Sequence, residues 1–163
     1  MERPPSEDVP LFSTRSLEGE YTAWALVWNR DYGGAVNLDG VLVDNYGTCY
    51  ITDIIAGNSR VRTYLGVETI TAGYVYNIPR RAPQPEAYSM TFKYVLGENT
   101  GVFEQFDIWR DEVLIASIDL AIDEVDDSGY VAKSMSPNGK FLAFVINSIA
   151  TGNNRYVMLY EGT

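Results

Sequence analysis

From Tyr21 onward, apolar and polar positions alternate with a period of two in short runs broken by glycine, asparagine and proline. Such runs are read as β-strands, because successive side chains of a strand point to opposite faces. Tyr21-Thr-Ala-Trp-Ala-Leu-Val-Trp28 places Trp24, Leu26 and Trp28 on one strand face. Ala35-Val-Asn-Leu38, Asp39-Gly40 and Val41-Leu-Val43 read as a hairpin, since Asp-Gly between apolar runs suits a type I′ turn. Further strands are predicted over 48–55, 60–65, 68–71 and 73–78, with Tyr74 and Tyr76 facing the same way. The second half predicts strands over 88–96, 102–110, 113–122, 130–134, 141–147 and 155–161. Segment 113–122 also fits a helix, with Leu114, Ile118, Ala121, Ile122 and Val125 on one side. Its isoleucines and the alternating face Leu114, Ala116, Ile118, Leu120, Ile122 favour a strand.

Two segments break the pattern. Residues 1–20 are charged and contain Pro4, Pro5 and Pro10, and read as an arm. Pro79-Arg-Arg-Ala-Pro-Gln-Pro85 removes backbone donors and fixes φ, so it reads as an extended crossover between two halves, 21–79 and 87–163, of one domain. Closely spaced strands with Gly/Asn turns predict an all-β fold, an antiparallel β-sandwich of jelly-roll-like form.

Near the end of the chain, Ser136-Pro-Asn-Gly-Lys-Phe-Leu-Ala-Phe144, followed by Arg155-Tyr-Val-Met-Leu-Tyr160, resembles a β-propeller blade repeat. Phe92-Lys-Tyr-Val-Leu96 with Phe106-Asp-Ile-Trp109 echoes Leu142-Ala-Phe-Val-Ile146 with Tyr156-Val-Met-Leu159 about 50 residues upstream, near a propeller repeat length. The resemblance implies a meander of antiparallel strands, that is, incomplete blades, and a chain that is part of a longer propeller. The upstream copy lacks the Ser-Pro-Asn-Gly turn, and the chain holds material for about three blades, where closure takes roughly four to eight.

Composition supports the β reading and narrows the chemistry. The 163 residues are 46% hydrophobic and 21% charged, which suits one globular domain, and include 12 Tyr and 14 Gly. Net charge is −10, and no basic cluster exceeds Arg80-Arg81, so nucleic acid and anionic membrane are not expected partners. No apolar run approaches the ~20 residues that span a bilayer, and the first residues lack the basic and apolar regions of a signal peptide. Cys49 is the single cysteine, read as a small buried hydrophobe. With no histidine, Ser-His-Asp and Cys-His nucleophiles and His-bearing zinc sites are excluded.

Three kinds of candidate site remain. Glu104, Asp107 and Asp119 are strand-borne carboxylates of the type that glycoside hydrolysis requires in pairs, though acids on strands commonly form a solvated face. Asp123, Glu124, Asp126 and Asp127 form a dense acidic stretch whose oxygens suit calcium, without the spacing of an EF-hand loop. Trp24, Trp28, Tyr74, Tyr76 and Trp109 are candidates for an aromatic carbohydrate-binding platform, although Leu26 on the face of Trp24 and Trp28 favours core. No catalytic constellation is complete. The expected function is a non-enzymatic structural or interaction module that self-associates, as in a surface, filament or virion assembly, with a carbohydrate-binding module as the alternative. A surface or virion setting is favoured over the cytoplasm. With only three lysines the chain has few edge blockers, so at least one strand edge is expected to be covered by another chain or by the arm.

Overall fold

The computed structural model describes residues 21–34, 38–53, 57–73, 88–94, 103–119, 128–148 and 154–163. The predicted arm, the 73–78 strand beyond Gly73, the proline-rich crossover and the acidic stretch 123–127 lie outside them. Eleven strands are described: β1 (Trp24–Asp31), β2 (Leu38–Val43), β3 (Cys49–Asp53), β4 (Asn58–Arg62), β5 (Glu68–Ala72), β6 (Tyr88–Tyr94), β7 (Phe103–Arg110), β8 (Val113–Asp119), β9 (Ser128–Met135), β10 (Phe141–Ser148) and β11 (Asn154–Gly162). The all-β reading holds, and 113–119 is strand.

The strands form three antiparallel sheets, ordered β2-β3-β4-β5, β6-β7-β8 and β1-β11-β10-β9. Each is a meander of sequence neighbours, with one exception. β1 crosses from the start of the chain to pair antiparallel with β11, Trp24 opposite Gly162 and Asp31 opposite Tyr156. These connections are hairpins plus one long-range closure, in place of the crossovers of a jelly roll.

The sandwich comes from stacking. The sheet β1-β11-β10-β9 is the middle layer, and both of its faces are apolar. Leu142, Phe144 and Ile146 of β10, with Tyr156, Met158 and Tyr160 of β11, pack on Met90, Phe106, Ile108 and Ile118 of the β6–β8 sheet. The alternate residues Phe141, Ala143, Val145, Val157 and Leu159 pack on Leu38, Val41, Val43, Cys49 and Ile51 of the β2–β5 sheet. The unbroken apolar run Phe141–Ile146 is therefore a strand covered on both sides rather than a helix. Phe144 meets Phe106 with ring centroids 4.0 Å apart and Tyr160 at 5.5 Å. Burying each such side chain stabilises the fold by about 1.5–3 kcal/mol.

Two local expectations are corrected by bulges. Leu26 pairs with Tyr160 but Trp28 pairs with Leu159, so the extra residue Val27 moves Trp28 to the opposite face from Trp24. Trp24 joins the core against the β6–β8 sheet, whereas Trp28 packs towards the β2–β5 sheet. Likewise Asp39-Gly40 is not a hairpin turn. Asp39 is an extra residue within β2, between the pairs Leu38–Asp53 and Gly40–Thr52.

The turn that ends β2 lies at 44–48. Asp44 is fully buried; its Oδ1 accepts from the N–H groups of Tyr46 (2.8 Å) and Thr48 (3.0 Å), and its Oδ2 from the Tyr50 hydroxyl (3.0 Å). Gly47 has φ 79°, and a Cβ there would stand 3.0 Å from the Phe141 ring and 3.1 Å from that of Tyr64, so glycine is required twice over. The Ser136-Pro-Asn-Gly turn forms as expected, with Gly139 at φ 78°. Ser136 Oγ donates to Asn138 Oδ1 (2.7 Å) and accepts from Phe141 N (2.9 Å). Asn138 N donates 2.9 Å to Asn45 Oδ1, which locks the two turns together.

Candidate interaction surface

Each sheet has an inner edge strand and an outer one. The inner edges are β2, β6 and β9, the first strands of their meanders; the outer edges are β5, β8 and β1. The two kinds of edge differ in chemistry.

The inner edges are tied to one another through β9. Its Ser134 hydroxyl accepts from the backbone N–H of Val43 on β2 (3.2 Å). On the next residue, Lys133 Nζ donates 2.5 Å to the Met90 carbonyl on β6. Neighbouring residues of a strand point in opposite directions, so one strand reaches both flanking sheets. Partial burial of Lys133 lowers the pKa of its ammonium group.

The outer edges carry no lysine and no proline. Every exposed large hydrophobic residue among the described ones lies on them or on the hairpin leading into β5. These are Leu26 on β1; Tyr64, Leu65, Val67 and Ile70 around β5; and Val113 and Leu114 on β8. Leu65 is 85% exposed and Ile70 54%. β1 is bulged at Val27, and β8 skips Ile115 between the pairs Ile108–Ala116 and Trp109–Leu114. Bulges of this kind obstruct edge pairing. Only β5 keeps an unbroken register, from Ser59–Thr71 to Arg62–Glu68. Among the described residues no strand pairs with its outer side.

Between β1 and the β4–β5 hairpin the apolar stack gives way to charge. Arg62 lies over the Trp28 ring at 4.6 Å, with its Nη1 3.7 Å from Glu68 Oε1. Arg60 lies over Tyr32 at 5.3 Å, between Glu68 (3.6 Å) and Asp53 (3.8 Å). The Tyr32 hydroxyl donates to Glu68. Burial, with the Glu68 hydrogen bond and charge, raises the Tyr32 pKa far above its ordinary value. Burial does the same to the Cys49 thiol, as its reading as a core residue requires.

Of the predicted aromatic platform, the three described tryptophans lie apart. Trp24 is core, Trp28 sits under Arg62, and Trp109 stands on β7, where its indole N–H donates 2.8 Å to Thr91 Oγ1. Tyr74 and Tyr76 lie outside the described residues, as do the calcium candidates Asp123, Glu124, Asp126 and Asp127. Of the carboxylates, Asp107 is held by Gln105 and Ser117; Glu104 and Asp119 lie on β7 and β8, without described side chains. Among the described residues no three His, Cys, Asp or Glu are grouped to hold a metal, and no helix is long and apolar enough to cross a membrane. Sequence reasoning anticipated a poorly blocked edge but not which one; Glu68-Thr-Ile-Thr-Ala72, β-branched and free of Lys and Pro, was its visible mark. The chain matches no protein-family model and no curated protein.

Proposed function

We propose that this protein is a non-enzymatic, self-associating interaction module, a repeated subunit of a larger assembly. The observation that carries the reading is that, among the described residues, the exposed large apolar side chains lie on the outer edge strands and the hairpin leading into β5, with β5 unbulged and unblocked. An exposed strand edge offers a row of backbone donors and acceptors, and apolar side chains beside it favour burial. The contact runs along β5 and the hairpin bearing Leu65 and Val67. Light scattering after size exclusion, over a range of concentrations, tests it. The expected result is a mass above that of the monomer, falling to the monomer in the double variant Leu65→Ser, Ile70→Lys. A wild-type monomer at every concentration overturns the proposal.

A blade-like reading of the three meanders has its own support. The first strands β2 and β9 are joined by the Ser134–Val43 bond, and β1 supplies the fourth strand of the last meander from the far end of the chain. Under this reading three blades stack without closing a ring, consistent with an open assembly unit. Low-resolution envelopes from small-angle scattering test it: a wedge of three slabs is expected, and a compact sphere opposes it.

A further inference from the structure

The hairpin that leads into β5 fixes which way the backbone groups of that strand point. Gly66, at φ 84°, donates its N–H to the Thr63 carbonyl (2.8 Å), and Thr63 N donates 2.9 Å to the Val67 carbonyl. Thr63–Val67 is therefore a hydrogen-bonded pair. Such pairs alternate along an antiparallel ladder with pairs that exchange no bonds. Val61–Thr69 and Ser59–Thr71 are then hydrogen-bonded too, so both threonines turn their backbone groups to β4. Glu68, Ile70 and Ala72 turn theirs outward, where no described strand receives them.

The side chains of Glu68, Ile70 and Ala72 share the sheet face of Arg60 and Arg62. Those arginines lie over Tyr32 and Trp28 of β1, the last strand of the middle sheet, so β5 overhangs its edge. Hence Ile70 is 54% exposed on a face that is core further in, at Cys49 and Ile51. Thr69 and Thr71, on the opposite face, are exposed as well. Another strand can reach the outward row of β5 in the plane of the sheet without meeting the middle layer.

The residues of the strand choose that partner. Glu68-Thr-Ile-Thr-Ala72 is nearly symmetric about Ile70. Set antiparallel against a second copy about that residue, Ile70 meets Ile70, each Thr69 meets a Thr71, and Glu68 meets Ala72. All the outward residues then exchange backbone hydrogen bonds, and the Thr–Thr and Ile–Ile pairs add to them. Glu68, held by Arg60 and Arg62 of its own copy, faces no like charge. Other settings lose one of these features. Centred on Thr69 or Thr71, one outward residue of each copy passes beyond the other's β5. An in-register parallel setting puts the two Glu68 side chains side by side. Against β1 or β8, bulges break the register. We infer that β5 pairs antiparallel with β5 of a second copy, centred on Ile70, joining two four-stranded sheets into one continuous sheet across a twofold axis. This rests on self-association through β5 and adds its geometry, a symmetric and closed contact.

Disulfide cross-linking of the full chain reads the register. Two copies of Ile70→Cys place their thiols on the axis, with Cα atoms about 5.5 Å apart. Two copies of Thr69→Cys, or of Thr71→Cys, stand about 8 Å apart at that position, beyond disulfide reach. Thr69→Cys mixed with Thr71→Cys brings unlike positions opposite each other at about 4.5 Å. The native Cys49 is buried, so the wild type serves as the blank. The chains are mixed dilute, concentrated, and oxidised with glutathione disulfide, and peptide mass spectrometry identifies the bond. Ile70→Cys and the threonine mixture are expected to form dimer about tenfold faster than either threonine variant alone. If Ile70→Cys lowers the mass of the reduced protein, the threonine mixture carries the test. Equal rates in all the samples, or faster linking of one threonine variant to itself, overturn the inference; self-association stands if light scattering of the reduced chains still shows a mass above the monomer. A monomer mass for the reduced wild type at every concentration overturns both.

Discussion

The inner and outer edges of the three sheets have the same backbone need, a row of unpaired N–H and C=O groups, and meet it differently. On the inner side β9 satisfies its neighbours through side chains: Ser134 takes the Val43 N–H, Lys133 reaches the Met90 carbonyl, and the turns at Asn45 and Asn138 interlock. Among the described residues the exposed large apolar side chains collect on the outer strands and on the hairpin leading into β5. Edges that face each other inside one chain can be closed by that chain's own polar side chains. Edges on the rim have no strand beyond them among the described residues, and are blunted by bulges in β1 and β8 and left plain in β5.

The contrast can be broken most severely at its base. Phe144→Ala, in the layer that both outer sheets pack against, is expected to cost about 3–5 kcal/mol in urea unfolding, because the stack of Phe106, Phe144 and Tyr160 cannot collapse into the void. Asp44→Ala leaves the Tyr46 and Thr48 N–H groups without their acceptor and is expected to cost about 1–3 kcal/mol by the same measurement. Ser134→Ala removes a single inner tie and is expected to cost about 1 kcal/mol. On the rim the outcome reverses. Ile70→Lys is expected to change monomer stability by no more than about 0.5 kcal/mol while lowering the mass in solution. A large stability loss there would mean that β5 is part of the core rather than an interface.

The smallest expected effect is a pH dependence at the charged rim of the β1–β4 junction. The Tyr32 pKa is raised in the folded state by burial and by Glu68, so its contribution is complete below the unfolded value of 10.0 and is lost as pH rises above it. Thermal unfolding above that pH is expected to be less steeply pH-dependent in Tyr32→Phe than in the wild type.

Much of this was legible in the chain. Period-two runs located the described strands, and the Ser136-Pro-Asn-Gly turn forms where its residue types placed it. The single-residue insertion has no mark in the pattern: a bulge leaves the apolar alternation intact and reverses every side chain beyond it, so the sequence places Trp28 on the face of Trp24 and reads Asp39-Gly40 as a turn. The pairing of β1 with β11 had no local signal, because it joins residues at opposite ends of the chain. The candidate rim was hidden for a related reason. Ile70, flanked by Thr69 and Thr71, alternates like a core residue, and only the sheet order shows that nothing described lies beyond its strand.

Amide hydrogen exchange on β5, compared between dilute and concentrated protein, tests the central claim most directly. The account predicts that the amides of Glu68–Ala72 that point away from β4 exchange fast when dilute and are strongly protected when concentrated, while those of β10 are protected in both. Exchange on β5 that is fast and independent of concentration would contradict it.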